Sequence, residues 1–222
     1  MTARRVASLA VVGVVAVAAP FFLTPFSNFQ LAAGLSLAIA VIGLTVLTGC
    51  GGQISLGHVF FFAVGGYVTA IGVADHQLPF VVCLALGALA CFVLGLAFGV
   101  PALRLPGLYL PTVTVGLAVA TPPLIKRFEG LTGGVEGIVV PAPRPPSWLG
   151  LADDQWLYFL TLAAVVVALC LARNLIRSQT GRAIVALRDD ELAATAFGVD
   201  PVRTKTLTFG YSSLPEIERA HV

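Results

Sequence analysis

The polar residues that could do chemistry inside a membrane are concentrated in residues 48–58, between two apolar stretches. Gln53, Ser55 and His58 are costly to place in hydrocarbon, so they are expected to face protein or a water-filled path. If this part is helical, Ser55 and His58 share a face, because they are three residues apart. The residues leave open a lining for a translocation path and a hydrogen-bonded packing turn. An enzyme with a nucleophile and a base here would lack an orienting acid other than Asp75.

A second group of charged and small residues lies in residues 178–201. Asp189 or Asp190 can cap a short helix, Gly198 suits the position just past its end, and Pro201 prevents continuation. The pattern predicts a compact helix of two turns with an acidic start. Its body is rich in small residues, namely Ala193, Ala194 and Ala196. Both a partner site and a solvated connector between spans fit this pattern.

Small residues recur every four positions in a third segment, at Gly87, Cys91, Gly95 and Gly99. This spacing places them along one helix face, where they form a ridge that another helix can approach closely in lipid. We favour packing within the chain, and a subunit interface or moving seam is the alternative.

The composition indicates that these residues lie in a membrane protein. Apolar residues make up 58% of the 222 and charged residues 11%, whereas soluble domains have roughly 45–50% and 25%. The sequence has no phosphate-binding loop, so no nucleotide cofactor is expected on the chain, and no basic stripe that would bind nucleic acid. No metal site is expected, because the four cysteines form no ligand cluster. We interpret them as small buried hydrophobes: Cys50, Cys83, Cys91 and Cys170.

Six apolar stretches approach the roughly 17–25 residues that a transmembrane helix needs. They are residues 6–23, 29–47, 54–74, 79–100, 107–125 and 155–171. The sequence therefore predicts an all-α integral membrane protein, a polytopic bundle of about six transmembrane or re-entrant helices. The third stretch contains polar residues and several glycines, so it is expected to be broken or re-entrant.

The basic residues predict the orientation of these spans. Arg4 and Arg5 precede the first span, and six basic residues lie in 173–205 after the last one. Both ends are therefore expected in the cytoplasm, with an outer loop at residues 126–154. The start also fits a signal peptide cleaved near residues 16–18. We favour a retained helix, because the apolar run continues to Leu23.

Several motifs occur along the chain in an order typical of one family. They are residues 47–58 with Phe61, Phe62 and 65–67, then 103–110, then 131–134 with Gly137, and finally 181–183, 188–194 and 198–199. Together these motifs resemble the permease subunits of branched-chain amino acid ABC transporters of the LivM type. The matches run from about Gly34 to Phe209, which is nearly the whole chain.

This resemblance implies one permease domain over residues 1–222 of an importer in the cell membrane. Its partners would be a second permease, ABC ATPase subunits that use the ATP, and an external binding protein that meets the outer loop. Residues 191–198 would be the coupling helix that docks on an ATPase. The implied coupling residues are Gly181, Arg182, Arg188, Asp189, Asp190, Glu191, Ala193, Ala194 and Gly198. Urea, short amides or another small polar solute are alternative substrates.

The C-terminal residues depart from the family pattern. The family continues after Phe209 into further spanning helices, whereas residues 210–222 are polar here and contain Pro215. We therefore expect an atypical tail from residue 210 and a permease without its C-terminal helices. A non-functional remnant is the alternative that this departure raises.

Overall fold

A computed structural model describes residues 3–53, 55–102, 109–134, 136–141, 143–146 and 149–213. Every regular element within these residues is a helix, which confirms the predicted all-α class. A π-helical turn, Thr45–Cys50, directly continues the second helix. The α-helices are α1 (Ala3–Phe22), α2 (Pro25–Leu44), α3 (His58–Ala74), α4 (Phe80–Ala102), α5 (Tyr109–Arg127), α6 (Glu129–Thr132), α7 (Asp153–Arg177), α8 (Gln179–Asp189), α9 (Glu191–Ala196) and α10 (Pro201–Ser213).

Each of the six predicted apolar stretches corresponds to one of these helices. In the described part of the chain, three helices are long and apolar enough to cross a membrane: Pro25–Cys50, Phe80–Phe98 and Asp153–Arg177. Two further apolar helices, Ala10–Phe22 and His58–Ala74, are shorter. The third stretch forms a helix only from His58, because the preceding glycine-rich residues leave the helical conformation. The chain is thus a polytopic helical membrane protein.

The helices form two packed groups that α10 joins. In one group α2 lies along α7, and α1 also contacts α7; in the other, α3 and α10 pack against α4. A core cluster of Leu47, Phe61, Cys91 and Phe209 connects the end of α2 with the second group. The rings of Phe61 and Phe209 meet edge to face, with centroids 5.7 Å apart. Such aromatic contacts hold α10 inside the bundle.

α2 and α7 both begin at the same end of the bundle. The amide nitrogen of Asn28 donates hydrogen bonds to the Asp154 carboxylate at 2.7 Å and to the Pro20 carbonyl at 3.1 Å. Gln155 donates to the same Pro20 carbonyl at 3.3 Å. Farther along, the Tyr158 hydroxyl donates to the Ala16 carbonyl at 2.9 Å, which ties α1 to α7. We call this region the Asn28 end.

The small-residue ridge of α4 faces other helices of the same chain. Gly87, Cys91 and Gly95 are buried, and the Cys91 thiol donates to the Phe61 carbonyl at 3.2 Å. A Cβ added at Gly95 would lie 3.1 Å from the Cα of Gly210 in α10. The surroundings of Gly99 lie outside the described residues. The ridge therefore serves the contacts of α4 with α3 and α10.

The expectation that all four cysteines are buried is wrong. Cys170 is exposed rather than buried, because the outer face of a membrane bundle also requires apolar residues. Residues 210–213, which the sequence analysis counts with the polar tail, form the last turn of α10 and include buried residues. The Ser213 hydroxyl donates to the carbonyls of Gly210 at 2.8 Å and Cys91 at 3.0 Å, so its polarity is satisfied inside the bundle. Residues 214–222 lie outside the described part.

Candidate functional site

The π-helical turn at the end of α2 leads into a tight turn of glycines. We call residues 49–52 the glycine turn. Gly52 has φ +64°, a conformation that favours glycine. The backbone N–H of the next residue, Gln53, donates a hydrogen bond to the Leu47 carbonyl at 3.2 Å. A Cβ added at Gly51 would lie 3.3 Å from Thr208 of α10. π-Helical turns are frequent at functional sites, and this one lies at the end of α2. We call residues 53–57, which follow the glycine turn, the polar segment.

The described residues of this segment, 53 and 55–57, are not helical. Gln53 and Ser55 are buried, and the Ser55 hydroxyl accepts a hydrogen bond from the Gly57 N–H at 3.4 Å. His58 is half-buried and is the first residue of α3. The expectation that Ser55 and His58 share a helix face is therefore wrong, because the helix starts after Ser55. Within the described residues, the Gln53 side-chain oxygen is buried without a hydrogen-bond partner.

Thr114 of α5 supports this segment, and the sequence analysis did not single it out. Its hydroxyl accepts a hydrogen bond from the Leu56 N–H at 3.1 Å and donates to the Pro111 carbonyl at 3.0 Å. A Cβ added at Gly57 would lie 3.1 Å from the Cβ of Thr114. The non-helical backbone is thus buried against protein, as membrane proteins require.

A second candidate site is the pair of short helices α8 and α9, which meet at Asp190. The Ser178 hydroxyl accepts from the Gly181 N–H at 3.2 Å and caps α8. The Asp190 carboxylate accepts from the Ala193 N–H at 3.0 Å and caps α9, as the sequence predicts. Gly198 follows α9 with φ +85°.

The nine implied coupling residues do not lie on one helix. Gly181, Arg182, Arg188 and Asp189 belong to α8, because the extended backbone of Asp190 (φ −155°, ψ 107°) separates the two helices. Glu191, Ala193 and Ala194 belong to α9, with Asp190 and Gly198 at its two ends. The set is therefore a two-helix corner rather than a single coupling helix.

One face of α9 is held by the chain and the other is exposed. Ala194 is buried, and both carboxylate oxygens of Glu191 lie 2.8 Å from the Lys205 ammonium in α10. Leu192 in α9 is 84% exposed, and Phe197, the residue directly after α9, is 90% exposed. Two large apolar side chains are thus exposed, one on α9 and one at its C-terminal end. Their position on an alanine-rich short helix is the signal that could have identified them from the sequence.

Arg188 connects this corner to the glycine turn. Its guanidinium donates to the Gly49 carbonyl at 2.9 Å and to one Asp189 carboxylate oxygen at 2.8 and 3.0 Å. Its aliphatic stem lies against Gly52. The structure therefore places one implied coupling residue next to the polar segment of Gln53 and Ser55. The end of the bundle with this contact is the Arg188 end.

Comparison with known proteins identifies the class to which this arrangement belongs. The sequence profile of a family described as "Branched-chain amino acid transport system / permease component" matches residues 29–214. The chain belongs to this family. Its members are transport components rather than enzymes, so the nucleophile–base interpretation of Ser55 and His58 is not supported. Among the described residues, no group of three or more His, Cys, Asp or Glu side chains could hold a metal ion.

Two curated relatives are high-affinity branched-chain amino acid transport system permease proteins named LivM. The protein from Salmonella typhimurium is 33% identical over 223 residues, which cover 90% of this chain and 52% of the relative. The protein from Escherichia coli strain K12 is 32% identical over the same shares. The chain spans about half the length of these relatives. No solved structure gives a significant match.

Proposed function

We propose that this permease chain is part of an ATP-driven importer that moves branched-chain amino acids across the cytoplasmic membrane. ATP is hydrolysed by separate subunits that bind the α8–α9 corner, and an external binding protein delivers the substrate at the opposite end. The observation that carries the proposal is the exposure of two large apolar side chains, Leu192 in α9 and Phe197 at its end, on a helix that the chain itself anchors. Large apolar anchors on a rigid support are typical of protein interfaces.

The distribution of basic residues supports the orientation that docking requires. Six of them follow α7 or lie in its last turns, on the side of the Arg188 end, and three lie at the end of α5 or in the following loop. The six are Arg173, Arg177, Arg182, Arg188, Arg203 and Lys205. By the positive-inside rule the Arg188 end faces the cytoplasm, where ATP is available.

The substrate assignment is supported by the names of the relatives and of the family. Urea, short amides or another small polar solute remain the alternative for the same architecture. Uptake of labelled leucine into proteoliposomes with the assembled transporter, with unlabelled valine or urea as competitor, separates the two. Leucine uptake that valine inhibits is expected, whereas uptake of labelled urea without uptake of leucine would replace the substrate class.

Docking is tested by replacing Leu192 and Phe197 separately with Asp. Each change is expected to lower co-purification of the ATPase subunits at least about tenfold, because a desolvated apolar anchor would become a charge. Val139→Asp is the matched control. Val139 is also 90% exposed but lies in the loop between α6 and α7, so ATPase association should remain at the wild-type level.

Two results would refute this placement of the docking surface. One is normal ATPase association of both α9 variants when the wild type binds the ATPase. The other is equal loss of association in Val139→Asp, which would indicate a general defect of folding or insertion rather than a local contact. Membrane levels of all variants, measured by immunoblot, distinguish these cases.

A further inference from the structure

Arg188 makes a contact that local sequence patterns do not predict. It donates to the carbonyl of Gly49, which is 139 residues away in the chain. Gly49 lies in the last turn of the Pro25–Cys50 helix, where carbonyl groups lack helical partners and the helix dipole is negative. A guanidinium is therefore a suitable partner for this terminus.

The side chain of Arg188 is held from two further directions. Its Cγ would lie 2.7 Å from a Cβ added at Gly52, so the stem crosses the bare backbone of the glycine turn. The Asp189 carboxylate binds the Nε and one terminal nitrogen of the guanidinium at 3.0 and 2.8 Å. Because Arg presents a rigid planar fork, these contacts fix its orientation as well as its charge.

The contact lies between the two candidate sites. Arg188 is in the last turn of α8, two residues before Asp190, the residue that caps α9. The glycine turn leads directly into the buried residues Gln53 and Ser55. We propose that Arg188 is a positioning residue that transmits movement of the α8–α9 corner to the glycine turn and the polar segment behind it. This inference rests on the proposed function, because the ATPase supplies the movement.

The first test separates transmission from assembly with Arg188→Met in the transporter reconstituted with its ATPase subunits. Arg188→Met keeps an unbranched stem but removes the guanidinium. We expect ATPase association within about twofold of wild type and a loss of about tenfold in substrate transported per ATP hydrolysed, an ordinary size for coupling between sites. Arg173→Met is the matched control, because Arg173 is exposed near the end of α7 and is not one of the implied coupling residues; its transport ratio should not change.

The second test replaces the polar contact by a covalent bond. The distance from an added Cβ at Gly52 to the Cβ of Arg188 is 3.6 Å, which lies within the usual range for a disulfide. The pair Gly52→Cys and Arg188→Cys is made with Cys50→Ala, so that Cys50 does not compete. We expect poor transport per ATP in the reduced protein and recovery to at least about half of the wild-type ratio on oxidation. A reductant should reverse this recovery.

Each outcome decides a specific point. Recovery on oxidation supports a unit that moves together, which a merely structural role of Arg188 does not require. A disulfide that forms but abolishes transport would overturn the proposal, because the two segments would then have to move apart. An unchanged transport ratio in Arg188→Met would overturn it as well, while leaving the proposed function intact. Wild-type protein that binds no ATPase would refute the proposed function and this inference together.

Discussion

Replacing Asn28 is expected to destabilise the bundle in a way that depends on the charge of the new side chain. Asn28 is 1% exposed and donates to the Asp154 carboxylate and the Pro20 carbonyl. A hydrogen bond to a charged group contributes about 1.5–3 kcal/mol and a neutral one about 0.5–1.5 kcal/mol. The Pro20 carbonyl keeps its bond from Gln155. Asn28→Ala should therefore lower the free energy of unfolding by about 2–4 kcal/mol.

Asn28→Asp should cost more than Asn28→Ala at neutral pH. This change replaces the donor by a second carboxylate at hydrogen-bond distance from Asp154. Two carboxylates at such a short distance repel each other. Unfolding in mixed micelles with increasing dodecyl sulfate, followed by the fluorescence of Trp156 in the first turn of α7, measures these differences.

A nearby substitution controls for general effects at this end. Ser27 exchanges a 2.9 Å hydrogen bond with Thr24 in an exposed position, so Ser27→Ala should cost less than about 1 kcal/mol. The reasoning is refuted if Asn28→Asp is as stable as wild type at neutral pH, or if the order of the Asp and Ala variants is reversed. Either result would mean that the contact with Asp154 does not stabilise the junction of α1, α2 and α7.

Two further substitutions test the packing of α10. Gly95→Leu should lower the free energy of unfolding by about 1–3 kcal/mol, because the added side chain would push α4 away from Gly210 in α10. Gly116→Leu is the control: its side chain enters open space, so the free energy of unfolding should change little in the same assay. Glu191→Lys should lower ATPase association about two- to fivefold, since a partly exposed ion pair contributes up to about 1 kcal/mol to holding α9 against α10. Adding Lys205→Glu should restore association in the same co-purification assay, and failure of this charge swap would mean that Glu191 contacts the ATPase directly.

Features that depend on neighbours in the sequence could be predicted from it. Hydropathy identified the stretches that form α1–α5 and α7, and local capping chemistry placed Asp190 and Gly198 at the ends of α9. The break before α3 also followed from local information, because glycines and polar residues are unfavourable in a membrane helix. In each case a few adjacent residues determine the free energy that decides the conformation.

Contacts between distant residues could not be predicted in this way. Asn28 meets Asp154 across 126 residues and Arg188 meets Gly49 across 139, so no spacing in the sequence indicates either pair. Residues 210–213 appeared to begin a polar tail, because the carbonyl of Cys91 that accepts the Ser213 hydroxyl is visible only in the folded chain. A buried polar side chain destabilises the fold unless the tertiary structure supplies a hydrogen-bond partner for it.

These two long-range contacts join α2, α7 and α8 into one unit. The Pro25–Cys50 helix is held at its first turn by Asp154 of α7 and at its last turn by Arg188 of α8. α7 and α8 are consecutive and separated by a single residue, Ser178, so α2, α7 and α8 are joined at both ends. A displacement of α8 should therefore carry α2 with it rather than slide past it. Because α10 connects this group to α3 and α4, a displacement of α8 relative to α3 and α4 has to be accommodated at the contacts of α10.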